Sequence, residues 1–241
     1  MTTEKSKTSP KKTRGTRVSV ADEVYEKVKQ DIAEFRLIPG DRFTENELSL
    51  RLHVSRTPVR QSLYRLQQEG YVEVLFRSGW RVLPFDFEKF EQLYDLRILL
   101  ESAAVAKLCD ATVVRTPQGQ ALVDALAAIW LVAPDQRSAD TAQVSQWDEQ
   151  FHCALVQACG NMEIARVHKE VTDRIRIIRR LDFTKQARID ATYDEHAKIL
   201  KAIQKKRADQ AILLLRAHIA TSQAEVRKIT LHQVFMARQG Q

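Results

Sequence analysis

The segment from Val54 to Leu66, followed closely by Gly70, restricts the fold of this chain more than any other part of the sequence. Ser55 suits an N-cap, and Pro58 falls in a first helical turn, where backbone N–H groups lack intrahelical partners. Gly70 suits the position just after a helix, because it adopts a left-handed backbone conformation readily. The segment therefore predicts one short helix with defined ends.

The two faces of this predicted helix differ in chemistry. The apolar face carries Val59, Leu63 and Leu66, and the opposite face carries Arg56, Thr57, Arg60, Tyr64 and Gln67. In the DNA major groove, an arginine can donate two hydrogen bonds to guanine O6 and N7. Two arginines one turn apart also occur on ordinary surface helices. The segment alone therefore leaves a DNA contact and a solvated face as alternatives.

The flanking sequence favours the DNA contact. A helix of about Val20 to Arg36 is followed by a second one of about Glu45 to Leu52, which begins at the capping box Thr44–Glu47. A short turn then leads into the arginine-bearing helix, as in a helix-turn-helix. After Gly70, the β-rich runs 71–75 and 80–83 predict a hairpin, a wing that carries Arg77, Ser78 and Gly79.

This order of motifs resembles the DNA-binding domain of the GntR family of bacterial transcription regulators. The resemblance covers about residues 20 to 84 and rests on Pro39-Gly40, Glu47-Leu48, Ser55-Arg56-Thr57-Pro58-Val59-Arg60, Leu63, Leu66, Glu69-Gly70 and Gly79. It implies that Arg56, Thr57 and Arg60 touch an operator and that the wing tip at Ser78-Gly79 reaches the minor groove. We predict DNA contacts from Ser55 and Arg77 as well. Asn46 differs from some family members, which have an arginine there.

Charge is distributed unevenly along the chain, whose net charge is +7. Residues 1–84 hold 16 Lys and Arg against 11 Asp and Glu, whereas residues 85–241 hold 22 against 20. The basic excess therefore lies in the predicted DNA-binding part, where it can contact phosphates. We predict three regions: a disordered basic tail over residues 1–17, a winged helix-turn-helix domain over 18–84, and an all-helical domain over 85–241.

Several features of the sequence favour a cytoplasmic protein. Hydrophobic residues make up 44% of the chain, which suffices for two cores, yet no apolar run reaches the roughly 18 residues of a membrane span. The N-terminus lacks the apolar region of a signal peptide. The three cysteines, Cys109, Cys153 and Cys159, lack metal-binding or redox spacing and are expected to be reduced.

The remainder of the chain has few glycines and no strand alternation, so it reads as helices. Six are expected, over about Glu88–Cys109, Thr116–Val132, Ala139–Cys159, Met162–Leu181, Ala187–Lys205 and Ala208–Phe235. Six helices of this length form a bundle. The predicted fold is therefore mainly α, with a winged helix-turn-helix followed by a bundle of about six helices.

Four ionisable residues fall on inward faces of these helices. Asp148 and His152 are spaced i, i+4 on the third helix of the bundle, while His196 and His218 lie on apolar faces of the last two. Buried ionisable groups need partners, and one shared divalent cation would serve all four. A hydrogen-bonded polar core is the alternative that the spacing leaves open. His53, His168 and His232 are expected outside this cluster, the last two at the surface.

Residues from about Glu88 to Val234 resemble the FCD effector domain, which follows this winged helix in one GntR subfamily. The resemblance rests on Leu93-Tyr94-Asp95-Leu96-Arg97, Glu101, Asp148-x-x-x-His152, His196 and His218. It implies a bundle that binds a small carboxylate effector, often through a metal held by one Asp and three His. Six helices resemble the VanR-type branch rather than the seven-helix fatty-acid-responsive branch.

The residue types suggest how such a site would work. Imidazole and carboxylate ligands suit Zn²⁺, with Ni²⁺ or Mn²⁺ as alternatives. Arg97 is a candidate to bind the effector, because a guanidinium matches carboxylate geometry. Its alternative role is an i, i+4 ion pair with Glu101.

We therefore predict a ligand-responsive bacterial transcription regulator that binds a pseudo-palindromic operator on double-stranded DNA as a homodimer. A small organic acid bound at the metal would modulate DNA affinity. One alternative keeps the regulator but makes the metal purely structural. A metal-dependent hydrolase is the other, disfavoured because the chain lacks P-loop, GxGxxG, GxSxG and HExxH motifs.

Overall fold

The computed structural model describes residues 19–84, 86–112, 116–182 and 186–228. These residues divide into two compact units. One unit comprises Gly40–Leu83 together with the described residues up to Gln30. The other comprises Asp31–Pro39 and the described residues from Pro84 onward. The predicted tail, Met1 to Arg17, lies outside the described residues.

The first unit contains a three-helix core and a small antiparallel sheet. The helices are α1 (Val20–Ala33), α2 (Glu45–Leu52) and α3 (Arg56–Gln68), and the strands are β1 (Arg42–Phe43), β2 (Val72–Leu75) and β3 (Gly79–Val82). The strand order is β1-β3-β2. Trp80 on the central strand β3 pairs with Phe43 of β1 on one side and with Val74 of β2 on the other. This arrangement is the predicted winged helix-turn-helix.

Two details of this unit differ from the prediction. Helix α1 ends at Ala33 rather than near Arg36, because Phe35 adopts a left-handed backbone with φ of 59° that a continuing helix excludes. Strand β1 was not predicted, since two residues give no alternation pattern. The capping box of α2 is present as predicted, with Thr44 and Glu47 each bonding the other's backbone N–H.

The second unit is helical. Its α-helices are α4 (Phe87–Cys109), α5 (Pro117–Trp130), α6 (Thr141–Ala158), α7 (Met162–Asp182), α8 (Gln186–Gln204) and α9 (Ala208–Val226), with one 3₁₀ turn at Pro134–Gln136. Thr116 and Asp140 cap α5 and α6 with their side chains. The predicted bounds agree to within about two residues, apart from the end of α9, whose predicted continuation to Phe235 passes into residues 229–241, outside the described part.

Helix α4 packs against α6, α7 and α9, so that it contributes side chains to the centre of the bundle. Large buried side chains around this centre are Tyr94, Leu108, Trp130, Phe151, Leu155, Ile175, Ile178, Ile189 and Tyr193. The mainly α fold, a winged helix-turn-helix followed by six bundle helices, is thus confirmed. None of the helices in the described part is both long and apolar enough to span a membrane.

Candidate metal centre and nucleic-acid interface

The exposed face of α3 brings two predicted DNA contacts together. Arg60 donates to the Glu45 carboxylate through Nε at 2.9 Å and Nη2 at 2.8 Å, and Arg56 Nη2 lies 3.6 Å from the same carboxylate. Both arginines stay more than half exposed, at 61% for Arg56 and 54% for Arg60. The Arg60 hydrogen bond lowers the pKa of Glu45, which stays ionised and can orient both guanidinium groups.

The N-terminus of α3 presents the other predicted residues of this helix to solvent. Ser55 occupies the N-cap position with extended backbone, but its hydroxyl makes no capping hydrogen bond. The side chain is therefore not used to cap the start of the helix. Ser55, Arg56 and Thr57 are all exposed. Val59, Leu63 and Leu66 are fully buried, as the helical spacing predicts.

The wing tip contains residues with different roles. Arg77 is exposed and has a left-handed backbone with φ of 58°, and Ser78 donates its N–H to Leu75 at 3.0 Å to close the turn. A Cβ on Gly79 would lie 2.5 Å from the Phe43 carbonyl oxygen, so the position requires glycine. Gly79 therefore shapes the wing, while Arg77 and Ser78 supply exposed groups.

The four predicted metal ligands lie together inside the bundle. Helix α6 supplies Asp148 and His152, α8 supplies His196, and α9 supplies His218, all four of them buried. One side-chain nitrogen or oxygen of each residue lies within 4.8 Å of the corresponding atoms of the other three. Residues up to 70 positions apart in the sequence thus form one cluster.

The separations within this cluster fit a small divalent ion. His218 Nε2 lies 3.1 Å from His152 Nε2 and 3.3 Å from His196 Nε2. Asp148 Oδ1 lies 3.3 Å from His196 Nε2, 3.7 Å from His152 Nε2 and 3.8 Å from His218 Nε2. Ligands about 2.0–2.1 Å from a metal are separated by roughly 3.0–3.4 Å from each other, so three of these five separations fall in that range and the two from Asp148 Oδ1 to His152 and His218 are slightly wider. Asp148 Oδ1 has no hydrogen-bond partner among the described residues, as expected of an atom whose partner is a cation.

Two carboxylates outside the cluster determine which ring nitrogens face inward. His152 Nδ1 donates to Glu101 Oε2 and His218 Nδ1 donates to Glu195 Oε2, each at 2.6 Å. Because an ionised carboxylate only accepts, Nδ1 carries the proton and Nε2 presents its lone pair to the cluster. This is the tautomer that a metal requires of both histidines.

His196 is held differently. Its ring stacks on Phe151 with centroids 3.6 Å apart and planes 5° apart, and the Trp130 ring packs against its edge at 4.2 Å. Its Nδ1 has no hydrogen-bond partner among the described residues. Aromatic packing rather than a carboxylate therefore fixes the orientation of this ring.

Protonation of the cluster also favours metal binding. Burial lowers the pKa of His218 to about 4 and that of His196 well below its ordinary value, so both rings are neutral near pH 7. Burial opposes ionisation of Asp148, but the adjacent Arg179 guanidinium outweighs it and holds the pKa of this carboxyl well below its usual range. Neutral imidazoles and an ionised carboxylate are the forms that bind a cation.

His168, predicted to lie at the surface, is instead buried, and this prediction was wrong. Its Nε2 lies 2.9 Å from Glu101 Oε1, inside the bundle. The signal was present in the sequence, because His168, Val171, Thr172 and Ile175 follow i, i+3, i+4, i+7 spacing on the buried face of α7. His53 lies outside the cluster, as predicted, at the end of α2 with a left-handed backbone, and His232 lies outside the described residues.

Arg97 is also buried and makes the ion pair considered as its alternative role. Its Nε donates to Glu101 Oε1 at 2.7 Å. Its Nη1 and Nη2, however, have no hydrogen-bond partner among the described residues. Glu101 therefore contacts Arg97, His152 and His168 at once, and the donor fork of Arg97 remains available to an anion.

Comparison with known proteins identifies both domains. The sequence pattern of bacterial regulatory proteins of the gntR family matches residues 20–82, and that of the FCD domain matches residues 92–221. The chain belongs to the GntR family and carries an FCD domain. It is a transcriptional regulator of the GntR/FCD type.

Relatives of this GntR-family regulator cover most of its length. The Nta operon transcriptional regulator of Aminobacter aminovorans is 29% identical over 181 residues, which is 75% of this chain and 82% of that protein. The transcriptional repressor RspR of Escherichia coli K12 is 23% identical, over 87% of this chain and 90% of that protein.

Solved structures resemble the GntR-family regulator in fold. A putative GntR transcriptional regulator from Rhodococcus sp. RHA1 covers 87% of this chain and 98% of its own, with a TM-score of 0.69 and 20% identity. Escherichia coli McbR/YncC covers 88% and 99%, also with a TM-score of 0.69 and 20% identity. At this identity the likeness establishes the fold.

Proposed function

We propose that this GntR-family regulator binds a pseudo-palindromic operator as a homodimer, and that a small organic acid bound beside a divalent ion modulates its DNA affinity. The cluster of Asp148, His152, His196 and His218 is the observation that carries the proposal. The Nε2 lone pairs of His152 and His218 face each other at 3.1 Å beside the Asp148 carboxylate, an arrangement that is costly unless a cation binds there.

The metal part of the proposal follows from the ligand chemistry. Three imidazole nitrogens and one carboxylate oxygen suit Zn²⁺, with Ni²⁺ or Mn²⁺ as alternatives. When bound, such an ion acts as a Lewis acid that attracts a carboxylate of the effector. Glu101 and Glu195 keep the His152 and His218 rings oriented for binding through their Nδ1 hydrogen bonds.

The DNA part rests on α3 and the wing. Arg56 and Arg60 stand on the exposed face of α3, one turn apart and oriented by Glu45, so the helix can present two guanidinium forks to base edges. The exposed Arg77 and Ser78 are placed at the wing tip for phosphate or minor-groove contacts. An operator with two half-sites then requires two copies of α3.

The homodimer is supported by a largely apolar outer face on α4 and α9, beside which α9 also exposes Arg216 and Thr221. Between Asp95 and Lys107 the exposed residues of α4 are Leu96, Leu99, Ala103 and Ala106. On α9, Leu213, Ala217, Ala220 and Ala224 are exposed at matching helical spacing, and Leu99 and Leu213 are more than 60% accessible. Tyr94 and Ser222, in contact between the two helices, show that α4 and α9 pack side by side.

The extent of this α4–α9 face suits a second copy of the chain. Helices of 23 and 19 residues are about 30 Å long at roughly 1.5 Å per residue. Two helices packed about 8–10 Å apart present a face about 20 Å wide. Contact along the full length of both helices would bury about 600 Å² per chain and about 1,200 Å² in a dimer, the lower end of the range for specific interfaces, and the apolar residues between 96 and 106 and between 213 and 224 supply about half of it.

The serious alternative is a regulator in which the metal is structural. The four residues of the cluster are at most 3% exposed, as in metal sites that only stabilise a fold. The unused donors of Arg97 favour the ligand-responsive function instead, since a structural metal leaves them without an acceptor.

The experiment that tests the proposal is the metal content of the purified full-length protein, with Asp148→Ala and His196→Ala as variants. We expect about one divalent ion per chain in the wild type and none in either variant. Asp124→Ala, an exposed carboxylate on α5, is the matched control and should retain the ion. A metal-free wild type of normal stability would show that the cluster is a hydrogen-bonded polar core.

A further inference from the structure

Two buried arginines in the bundle have unused hydrogen-bond donors. Arg97 is 0% exposed and Arg179 is 5% exposed. Among the described residues, neither terminal nitrogen of Arg97 has a partner, and Nη1 of Arg179 also has none. A guanidinium nitrogen without an acceptor is unfavourable in a protein interior, so these donors indicate an anion that the chain itself does not supply.

Both arginines lie beside the metal-ligand cluster, on the packed helices α4 and α7. Arg97 and His168 share the Glu101 Oε1 atom, at 2.7 Å and 2.9 Å, and the other oxygen of Glu101 bonds His152. Arg179 donates from Nη2 to Asp148 Oδ2, which leaves Asp148 Oδ1 facing the histidines. Arg179 therefore contacts the cluster directly, whereas Arg97 is connected to it through Glu101.

A third unused group lies on the same stretch of α7. Thr172 is 0% exposed, and its Oγ1 has no hydrogen-bond partner among the described residues. Thr172 follows His168 by four residues, so the two side chains share the face of α7 that contacts Glu101 on α4. A buried hydroxyl there can donate to an oxygen of a ligand bound by Arg97.

The charge of this buried region depends on the ion. Without metal, the positive charges of Arg97 and Arg179 balance the negative charges of Glu101 and Asp148. The neighbouring pair of Arg188 and Glu195 is also balanced. A divalent ion adds two positive charges to these paired groups, and uncompensated buried charge is strongly unfavourable.

We infer that the effector is a small dicarboxylate, with one carboxylate bound by Arg97 and Thr172 and the other bound by Arg179 beside the ion. The inference rests on the proposed function and adds the class of acid. Two carboxylates return the region to neutrality, whereas a monocarboxylate leaves one positive charge. They also supply acceptors for all four unused donor groups of Arg97, Thr172 and Arg179.

The test is calorimetric titration of the full-length, metal-loaded protein with two matched series of acids. Malonate, succinate, glutarate and adipate are compared with propionate, butyrate, valerate and hexanoate, so that each pair differs in one carboxylate. At least one dicarboxylate should bind about 30-fold more tightly than its partner, as expected for the loss of one charged hydrogen-bonded group.

Conservative variants then test the assigned residues. Arg179→Lys retains the charge but loses the donor fork, and we expect it to weaken both acids about tenfold, because the carboxylate beside the ion is the one that they share. Thr172→Val should weaken only the dicarboxylate, because it removes a donor to the second carboxylate, which the monocarboxylate lacks. Arg174→Lys, an exposed position on α7, is the matched control and should leave both affinities unchanged.

The outcomes separate this inference from the proposed function. Equal affinities for both members of every pair would overturn the dicarboxylate inference but would agree with a carboxylate-responsive regulator. Binding by neither series would overturn both. A dicarboxylate preference that Thr172→Val leaves intact would overturn the role of Thr172, and unchanged affinities in Arg179→Lys would overturn the role of Arg179.

Discussion

Glu101 shows how one buried carboxylate connects two parts of the candidate site. Its oxygens accept from Arg97, His152 and His168, although the residue is only 1% exposed. Burial opposes its ionisation, but the hydrogen bonds from His152 and His168 and the charge of Arg97 outweigh that effect and hold the pKa of Glu101 well below its usual range. The same charged group therefore orients a proposed metal ligand and a proposed effector-binding residue.

We predict that Glu101→Gln lowers metal affinity by about 10- to 100-fold, because the amide offers one neutral acceptor oxygen in place of the two charged ones that serve His152, His168 and Arg97. Competition with a coloured chelator measures this affinity. Glu91→Gln, on the exposed side of α4, is the control and should change it less than about twofold. An unchanged affinity in Glu101→Gln, with a folded protein by circular dichroism, would contradict the orienting role.

The buried histidines predict a pH dependence for the metal-free protein. An unfolded histidine has a pKa of about 6.5, whereas burial lowers that of folded His218 to about 4. Between these values the unfolded chain binds a proton that folded His218 does not, so stability falls as pH falls. His218 alone contributes about 3 kcal/mol across this window, and His196 acts in the same direction.

Urea denaturation of the metal-free protein between pH 7 and pH 4.5 measures this effect. The free energy of unfolding should decrease as the pH falls, and the decrease should be smaller in His218→Gln, whatever the absolute stability of that variant. A wild type whose stability is constant across the window would show that His218 does not remain neutral in the folded protein.

Helix α3 combines a buried face with an exposed one, and its function depends on the exposed face. We predict that Arg60→Ala weakens binding to an operator selected from random DNA by roughly 1–3 kcal/mol, with a similar loss for Arg56→Ala. Fluorescence anisotropy at fixed salt measures the affinity. Arg166→Ala, an exposed arginine on α7, is the control. Full affinity in both α3 variants would exclude α3 as the recognition helix.

Helices α4 and α9 each have two functional faces in this account. Their inner faces carry Arg97, Glu101 and His218, and their outer faces carry the proposed dimer surface with Leu99 and Leu213. A change in helix packing around a bound acid can therefore reach the dimer surface through the same two elements.

We predict that Leu99→Glu combined with Leu213→Glu converts the protein to a monomer, because burying two carboxylates on each side of an apolar interface is unfavourable. Sedimentation at micromolar concentration measures the oligomeric state. Met162→Glu introduces the same charge at another exposed apolar position, the start of α7, and should leave the dimer intact. A double variant that stays dimeric would place the interface elsewhere.

The helices could be predicted closely from the sequence because their apolar spacing and end signals agree. Thr44, Thr116 and Asp140 occupy N-caps, and Gly160 marks the end of α6. The early end of α1 could not be predicted, since it depends on the backbone conformation of Phe35. Strand β1 exists only because β3 pairs with it.

For the whole molecule, spacing and family resemblance identified the four cluster residues but not the network around them. Asp148 and His152 are visible as an i, i+4 pair in the sequence. The contacts of Glu101 with His168 and of Arg179 with Asp148 join residues 67 and 31 positions apart, and only the packing of α4, α6 and α7 brings them together. Metal and DNA binding by the named residues remain predictions.

The regulator as a whole is proposed to couple three binding events, those of ion, acid and operator. Coupling requires that each ligand favours one arrangement of the protein over another, and typical coupling changes an affinity about 5- to 150-fold. A structural metal would stabilise the bundle without being needed for the response to the acid.

One measurement separates these accounts most directly: the operator affinity of the full-length protein with and without a saturating dicarboxylate, in metal-loaded and in chelator-treated samples. We predict that the acid changes operator affinity at least about fivefold in the loaded protein and has no effect after chelation. The same response in both samples, with only a lower melting temperature after chelation, would contradict the metal-dependent response and establish a structural metal.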